Sequence, residues 1–148
     1  GLEARSAVRA AIEAGKPVWV AWSLSNQADG KLLSGETVTQ AFALISDIEV
    51  AGYLFNCCSP ESVSVALPAL RRLTDRPIGA YANSFAVPRP ERGETPLRRD
   101  ITPDTYRLFV ADWIHAGATL LGGCCGIGPA HIAVLRDQFD RQALEALN

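Results

Sequence analysis

Ala118-Thr119-Leu120-Leu121-Gly122-Gly123-Cys124-Cys125-Gly126 is the stretch that decides how this chain is read. A short apolar run of strand type ends in two glycines, two adjacent cysteines and a third glycine. Gly122 and Gly123 let the backbone bend sharply, and Gly126 permits close backbone approach. The pattern has a counterpart upstream, where Tyr53-Leu54-Phe55 runs into Asn56-Cys57-Cys58. All four cysteines of the chain lie in these two places. Cysteines placed just past strand ends, inside turns, point to a metal site rather than to a structural staple.

Outward from these turns, strand and helix patterns alternate. Glu3 to Ala14 has helical apolar spacing at Ala7, Val8, Ala11 and Ile12, with Gly15 as its stop. Pro17 to Trp22 is β-branched and aromatic, as in a buried strand. Residues 24–36 are polar with Gly30 and Gly35, a loop. Thr37 caps a second helix whose turns are marked by Phe42, Ile45 and Ile48 or Glu49 and which is expected to end at Gly52. Ser59-Pro60-Glu61 supplies an N-cap, a proline at the first helical position and an acid in the first turn. The helix after it is expected to reach about Leu73, kinked at Pro68. Pro77 to Ala82 is a third strand ending in Asn83-Ser84, and residues 86–100, rich in proline and charge, form a long exposed loop. Thr102-Pro103-Asp104 opens a helix with Phe109, Val110, Trp113 and Ile114 inward, stopped by Gly117. The fourth strand is Ala118–Leu121, and Pro129 opens the last helix, with Ile132, Leu135 and Phe139 inward. The order α-βα-βα-βα-βα implies an α/β fold of parallel (β/α) units, four strands in all, with helices covering them.

In parallel β/α folds, ligands bind at the carboxyl ends of the strands. Cys57 ends the second strand, Asn83 the third, and Cys124 and Cys125 the fourth, so all fall on one rim. Three thiolates with an open fourth position describe a catalytic zinc site, and thiolates favour zinc over magnesium or calcium. Zinc with a free position holds an incoming thiol as thiolate at neutral pH, and the thiolate is the nucleophile. Of Cys57 and Cys58, one is a ligand and the other packs; Cys57, directly after Asn56, is the expected ligand. The bland readings are core filling for the cysteines and a local turn bond for Asn83. His115 reads as a surface or capping residue, His131 as structural in the first turn of the last helix, and Trp22, Trp113 and Tyr81 as packing. Gly122 to Gly128 lacks the Lys-Ser/Thr of a phosphate loop and the spacing of a dinucleotide fingerprint.

Composition narrows the class. The chain has 148 residues, 48% hydrophobic and 20% charged, which suits one soluble globular domain. A net charge of −2 with interspersed signs gives no pull toward nucleic acid or an anionic membrane. No apolar run approaches the roughly 20 residues of a membrane span. Gly1-Leu2-Glu3-Ala4-Arg5 lacks the pattern of a signal peptide, so a cytoplasmic setting with reduced thiols is expected. Methionine is absent even at position 1, which implies processing or a piece of something longer.

Gly122-Gly123-Cys124-Cys125-Gly126 followed by Pro129 and His131-Ile132 resembles the C-terminal signature of the homocysteine S-methyltransferase family. Asn56-Cys57 resembles the family's upstream zinc motif, and Tyr81-Ala82-Asn83-Ser84 its Tyr-Pro-Asn strand end. Pro17-Val18-Trp19-Val20 with Ser34-Gly35 is similar to its fifth strand and following loop, whereas Ala21-Trp22-Ser23 departs from the Ser-Phe-Thr of many members. The resemblance covers nearly the whole chain. It implies the second half of a (β/α)8 TIM barrel, residues 1–148 being the C-terminal half with the N-terminal half absent. It further implies Zn2+ on Cys57, Cys124 and Cys125, substrate contacts at Asn56 and Asn83, and no catalytic residue beyond the zinc ligands. The implied reaction, part of methionine biosynthesis, moves a methyl group to homocysteine. A sulfonium donor, S-methylmethionine or S-adenosylmethionine, is expected because the chain ends soon after the zinc motif. The implied partners are these small molecules and the missing barrel half or a second copy, since a half barrel exposes two sheet edges and an apolar inner face. Two competing readings stand beside it. One is a non-catalytic or truncated half barrel that binds zinc without a complete pocket. The other is a redox protein, disfavoured because adjacent cysteines rarely close a comfortable disulfide.

Overall fold

The computed structural model describes residues 2–86 and 96–145. Elements follow in the order α1 (Leu2–Glu13), β1 (Trp19–Trp22), α2 (Val38–Ala43), β2 (Gly52–Asn56), α3 (Pro60–Arg71), β3 (Ile78–Tyr81), α4 (Pro103–His115), β4 (Leu120–Leu121) and α5 (Pro129–Glu145). Among the described residues the strands form one sheet in the order β1-β2-β3-β4. Every pairing is parallel. This is the architecture expected from the alternating strand and helix patterns.

The caps read from sequence form as chemistry dictates. Thr37 accepts from the Gln40 N–H and Gln40 answers to the Thr37 N–H, a capping box. Ser59 and Thr102 each accept from the N–H three residues on, with proline at the next position. α3 runs through Pro68, which is exposed. α2 is shorter than expected. It stops at Ala43, and the chain continues in tight turns, Ile45 N–H to Phe42 O and Ile48 N–H to Ile45 O. Arg5 of α1 donates to the Leu44 carbonyl at 2.6 Å and to Asp47 at these turns. Gly52 does not terminate that helix; it opens β2, opposite Trp19. β4 is two residues long rather than four. The expected loop over 86–100 lies largely outside the described residues, at 87–95.

The two faces of the sheet have different fates. Val20, Trp22, Tyr53, Phe55 and Ile78 share the face that meets the helices, and Trp22 stacks on Tyr53 at 5.7 Å between ring centroids. Val63, Ala66, Leu67 and Leu70 of α3, and Tyr106, Val110 and Trp113 of α4, are buried in the same core. In α5 Leu135 is buried, but Ile132, expected inward, is exposed. The opposite face carries Trp19, Ala21, Leu54, Tyr81 and Leu120, which line an open trough of about 510 Å3. Trp19 keeps 58% of its surface exposed there.

Gly79 of β3 sits opposite Leu120, and a Cβ at this position would overlap the Leu120 carbonyl. Gly79→Ala should therefore push β4 away from β3 and cost roughly 1–3 kcal/mol. Urea denaturation measures this, and an unchanged midpoint would contradict so close an approach.

Candidate metal centre

The backbone just beyond β3 organises the rim. Cys57 N–H donates to Tyr81 O at 3.2 Å, and Asn83 N–H donates to Cys58 O at 2.9 Å. On the other side Cys124 N–H donates to Ala82 O at 2.8 Å and Ser84 N–H to Cys125 O at 2.9 Å. Residues 81–84 thus act as a spine with one cysteine turn bonded to each flank.

Strand alternation alone would send Cys57 to the helix side, since Phe55 points there and Asn56 points to the other face. Asn56 faces Ser23, with their side-chain oxygens 3.2 Å apart. Cys57 breaks the alternation by adopting φ +49°. This left-handed conformation is rare for a residue with a Cβ. It turns the Cys57 sulfur toward the rim and drops Cys58 into the core, where it is fully buried. The burial of Cys58 and the rim position of Cys57 have this backbone origin.

The Sγ atoms of Cys57, Cys124 and Cys125 all lie within 4.8 Å of one another, and those of Cys124 and Cys125 are 3.7 Å apart. A tetrahedral zinc with Zn–S bonds near 2.3 Å needs sulfurs about 3.8 Å apart. The donor set, three sulfurs with no fourth His, Cys, Asp or Glu in the cluster among the described residues, fits a soft cation with one position open to a guest. Gly126, at φ +79°, completes the turn: a Cβ there would overlap Ser84 Oγ and the Leu97 side chain.

Neighbouring groups adjust the sulfurs. Asn83 is buried, its Oδ1 accepts from the Phe85 N–H at 3.1 Å, and its Nδ2 donates toward Cys57 Sγ at 3.7 Å. That amide holds the Cys57 thiol below its ordinary value. Burial pushes Cys124 up to about 11, and a charge on Cys57 adds to this. Burial likewise pushes Cys58 up to about 11. Tyr106 of α4 donates to Gly122 O at 2.8 Å and ties the helix to the turn. His131 is structural: its Nδ1 accepts from the Gly128 N–H at 3.2 Å and its Nε2 donates to Ile101 O at 3.0 Å. His115 is exposed and bonds the Ala111 carbonyl at 2.8 Å. Sequence reading missed Arg98 and the partner it takes on α3; a charge 37 residues away in the chain carries no periodic signal.

The sequence profile of the homocysteine S-methyltransferase family matches residues 1–139. Selenocysteine Se-methyltransferase of Brassica oleracea var. italica is 29% identical over 120 residues, covering 80% of this chain and 35% of that protein. Homocysteine S-methyltransferase 2 of Arabidopsis thaliana is 26% identical over 120 residues, covering 80% of this chain and 36% of that protein. Among solved structures, the metallated form of the homocysteine methyltransferase MmuM from Escherichia coli superposes with a TM-score of 0.69 at 25% identity. That match covers 92% of this chain and 41% of MmuM. The chain therefore spans about a third of the length of the curated relatives it matches. No helix among the described residues is long and apolar enough to cross a membrane.

In metal-free protein, Cys57 should be alkylated by iodoacetamide ahead of Cys124 as pH rises, because the Asn83 amide favours its thiolate. Cys124, pushed up to about 11, should lag, and buried Cys58 should react only on unfolding. Peptide mapping reads the order; Cys124 reacting ahead of Cys57 would contradict the arrangement.

Proposed function

The chain belongs to the homocysteine S-methyltransferase family, and from that premise we propose that it carries the zinc centre of an enzyme that methylates the thiol of homocysteine to give methionine. The observation that supports this most is the convergence of three sulfurs from two distant turns on one point of the rim. Cys57, Cys124 and Cys125 would hold the ion. Bound there, zinc supplies Lewis acidity that lowers the pKa of a thiol entering the open position.

The remaining work falls to the protein. The homocysteine thiol gives up its proton to solvent water, and its sulfur attacks the methyl carbon of a sulfonium donor, S-methylmethionine or S-adenosylmethionine. The old carbon–sulfur bond breaks with its electron pair staying on the departing sulfide. Asn56 and Asn83 are the substrate contacts of this reading. Asn56 lies on the trough face beside Ser23, and Asn83 lies against Cys57. The apolar trough below them is open to water here and would be shut off from it only when the rest of a barrel packs against it. Three thiols that have to remain reduced suit the cytoplasm.

Residues 1–148 form the C-terminal half of the barrel in this reading. Exposure of Trp19 in an open trough calls for four more strands, supplied by the rest of the protein or by a second copy. The same observation favours a second reading for the 148-residue species taken alone: a zinc-binding half barrel with an incomplete substrate pocket. Measuring zinc and methyl transfer on both the isolated and the full-length chain separates the two.

Cys125→Ala in the full-length protein should take zinc content from about one per chain to near none. It should also abolish homocysteine-dependent methyl transfer while leaving the circular-dichroism spectrum intact. Full activity with the variant would sink the scheme.

A further inference from the structure

We propose that the Glu61–Arg98 ion pair is a positioning clamp that sets, from outside the site, the spacing between the Cys57 turn and the Cys124–Cys125 turn. This rests on the zinc reading above and concerns two residues that touch none of the sulfurs.

Glu61 lies in the first turn of α3, four residues after Cys57 in the sequence. Arg98 meets it with both ends of its fork: Nη1 to Oε2 at 2.9 Å and Nη2 to Oε1 at 2.7 Å. The main chain of the same arginine is bound to the opposite turn. Arg98 N–H donates to Ser84 O at 2.7 Å, and Ser84 N–H donates to Cys125 O at 2.9 Å. Next to it, Leu97 closes over Gly126, where even a methyl group would overlap its side chain. One residue therefore holds the segment that leads away from Cys57 with its side chain, and the segment that backs Cys125 with its backbone.

The choice of arginine follows from this task. A bidentate guanidinium fixes both distance and plane against a carboxylate, which an ammonium on a flexible stem does not. The pair is partly exposed, with 23% and 39% of the two side chains accessible, so it adds little to global stability. Its value is geometric. Cys124 is secured directly by Ala82 O, whereas exposed Cys125 is backed through Ser84, the residue that Arg98 also grips. Asp100 also accepts from Arg98, but it lies two residues along the same segment and makes no tie to α3.

The test measures zinc affinity of the full-length protein by competition with a chromophoric chelator, together with the sulfur-to-metal charge-transfer band after cobalt(II) substitution. Glu61→Gln and Arg98→Gln should each weaken zinc binding by roughly tenfold, the lower end of the range for outer-shell partners, and should shift or weaken the cobalt band. Asp100→Asn keeps the tie to α3 and should match the wild type in both measurements. Wild-type affinity and spectrum in Glu61→Gln would overturn the clamp while leaving the zinc reading standing. So would a loss in Asp100→Asn as large as in Glu61→Gln. Wild-type protein that binds no zinc on its cysteines would overturn both. Should Arg98→Gln fail to fold, Glu61→Gln, in which Arg98 keeps Asp100, carries the test.

Discussion

Everything at the rim depends on the short backbone spine that continues β3. Its peptide groups bond outward in both directions, to the Cys57–Cys58 turn on one flank and the Cys124–Cys125 turn on the other. Parallel pairing sets neighbouring strands about 4.8 Å apart. Two turns attached to opposite flanks of a single spine therefore stand roughly two strand spacings apart at their Cα atoms. Side chains leaning inward over the spine can close that gap to metal-binding range, and three sulfurs do. The close seating of β4 on Gly79 serves the same end, because any outward displacement of β4 would carry the double cysteine with it.

One strained residue makes this geometry possible. The left-handed backbone of Cys57 costs on the order of 1–3 kcal/mol. It persists because both of its neighbours are fixed: Asn56 by its place in β2, and Cys58 by full burial and by the bond from Asn83 to its carbonyl. A glycine would adopt that conformation without strain but would supply no sulfur. The conflict between local preference and chemical need is resolved in favour of the sulfur, as is usual where a site rather than a core dictates the backbone.

The fold was largely legible in the sequence because its signals are local. Caps at Thr37, Ser59 and Thr102 and the recurring strand-to-helix switch required no knowledge of distant contacts. The misreadings have long-range causes. α2 gives way to tight turns after Ala43, where Arg5 from another helix meets the Leu44 carbonyl. Ile132 follows helical periodicity yet stays exposed, because burial on α5 depends on where α4 lies. The site divides in the same way. Adjacent cysteines framed by glycines are visible in one dimension. The reason that Cys57 and not Cys58 faces the rim is a single backbone angle, and the pairing of Glu61 with Arg98 spans 37 positions, so neither is.

The cysteine cluster and the trough differ in completeness, and this follows from where their parts sit. All three sulfurs and the spine that sets them belong to β2, β3, β4 and their turns, which are contiguous in the sheet. The trough beneath them is a wall with no opposite wall among the described residues, and its apolar side chains, Trp19 above all, remain open to water. A thiol entering the fourth position would meet the ion at the rim whether or not the far wall exists. An amino-acid backbone and a bulky donor need enclosure on all sides to be held in line for attack. On the proposed reading, metal binding would therefore be a local property of these four (β/α) units, whereas orientation for methyl transfer would be a property of a closed barrel. The two proposed functions would then separate physically at β1 and β4, the strands that end the sheet among the described residues.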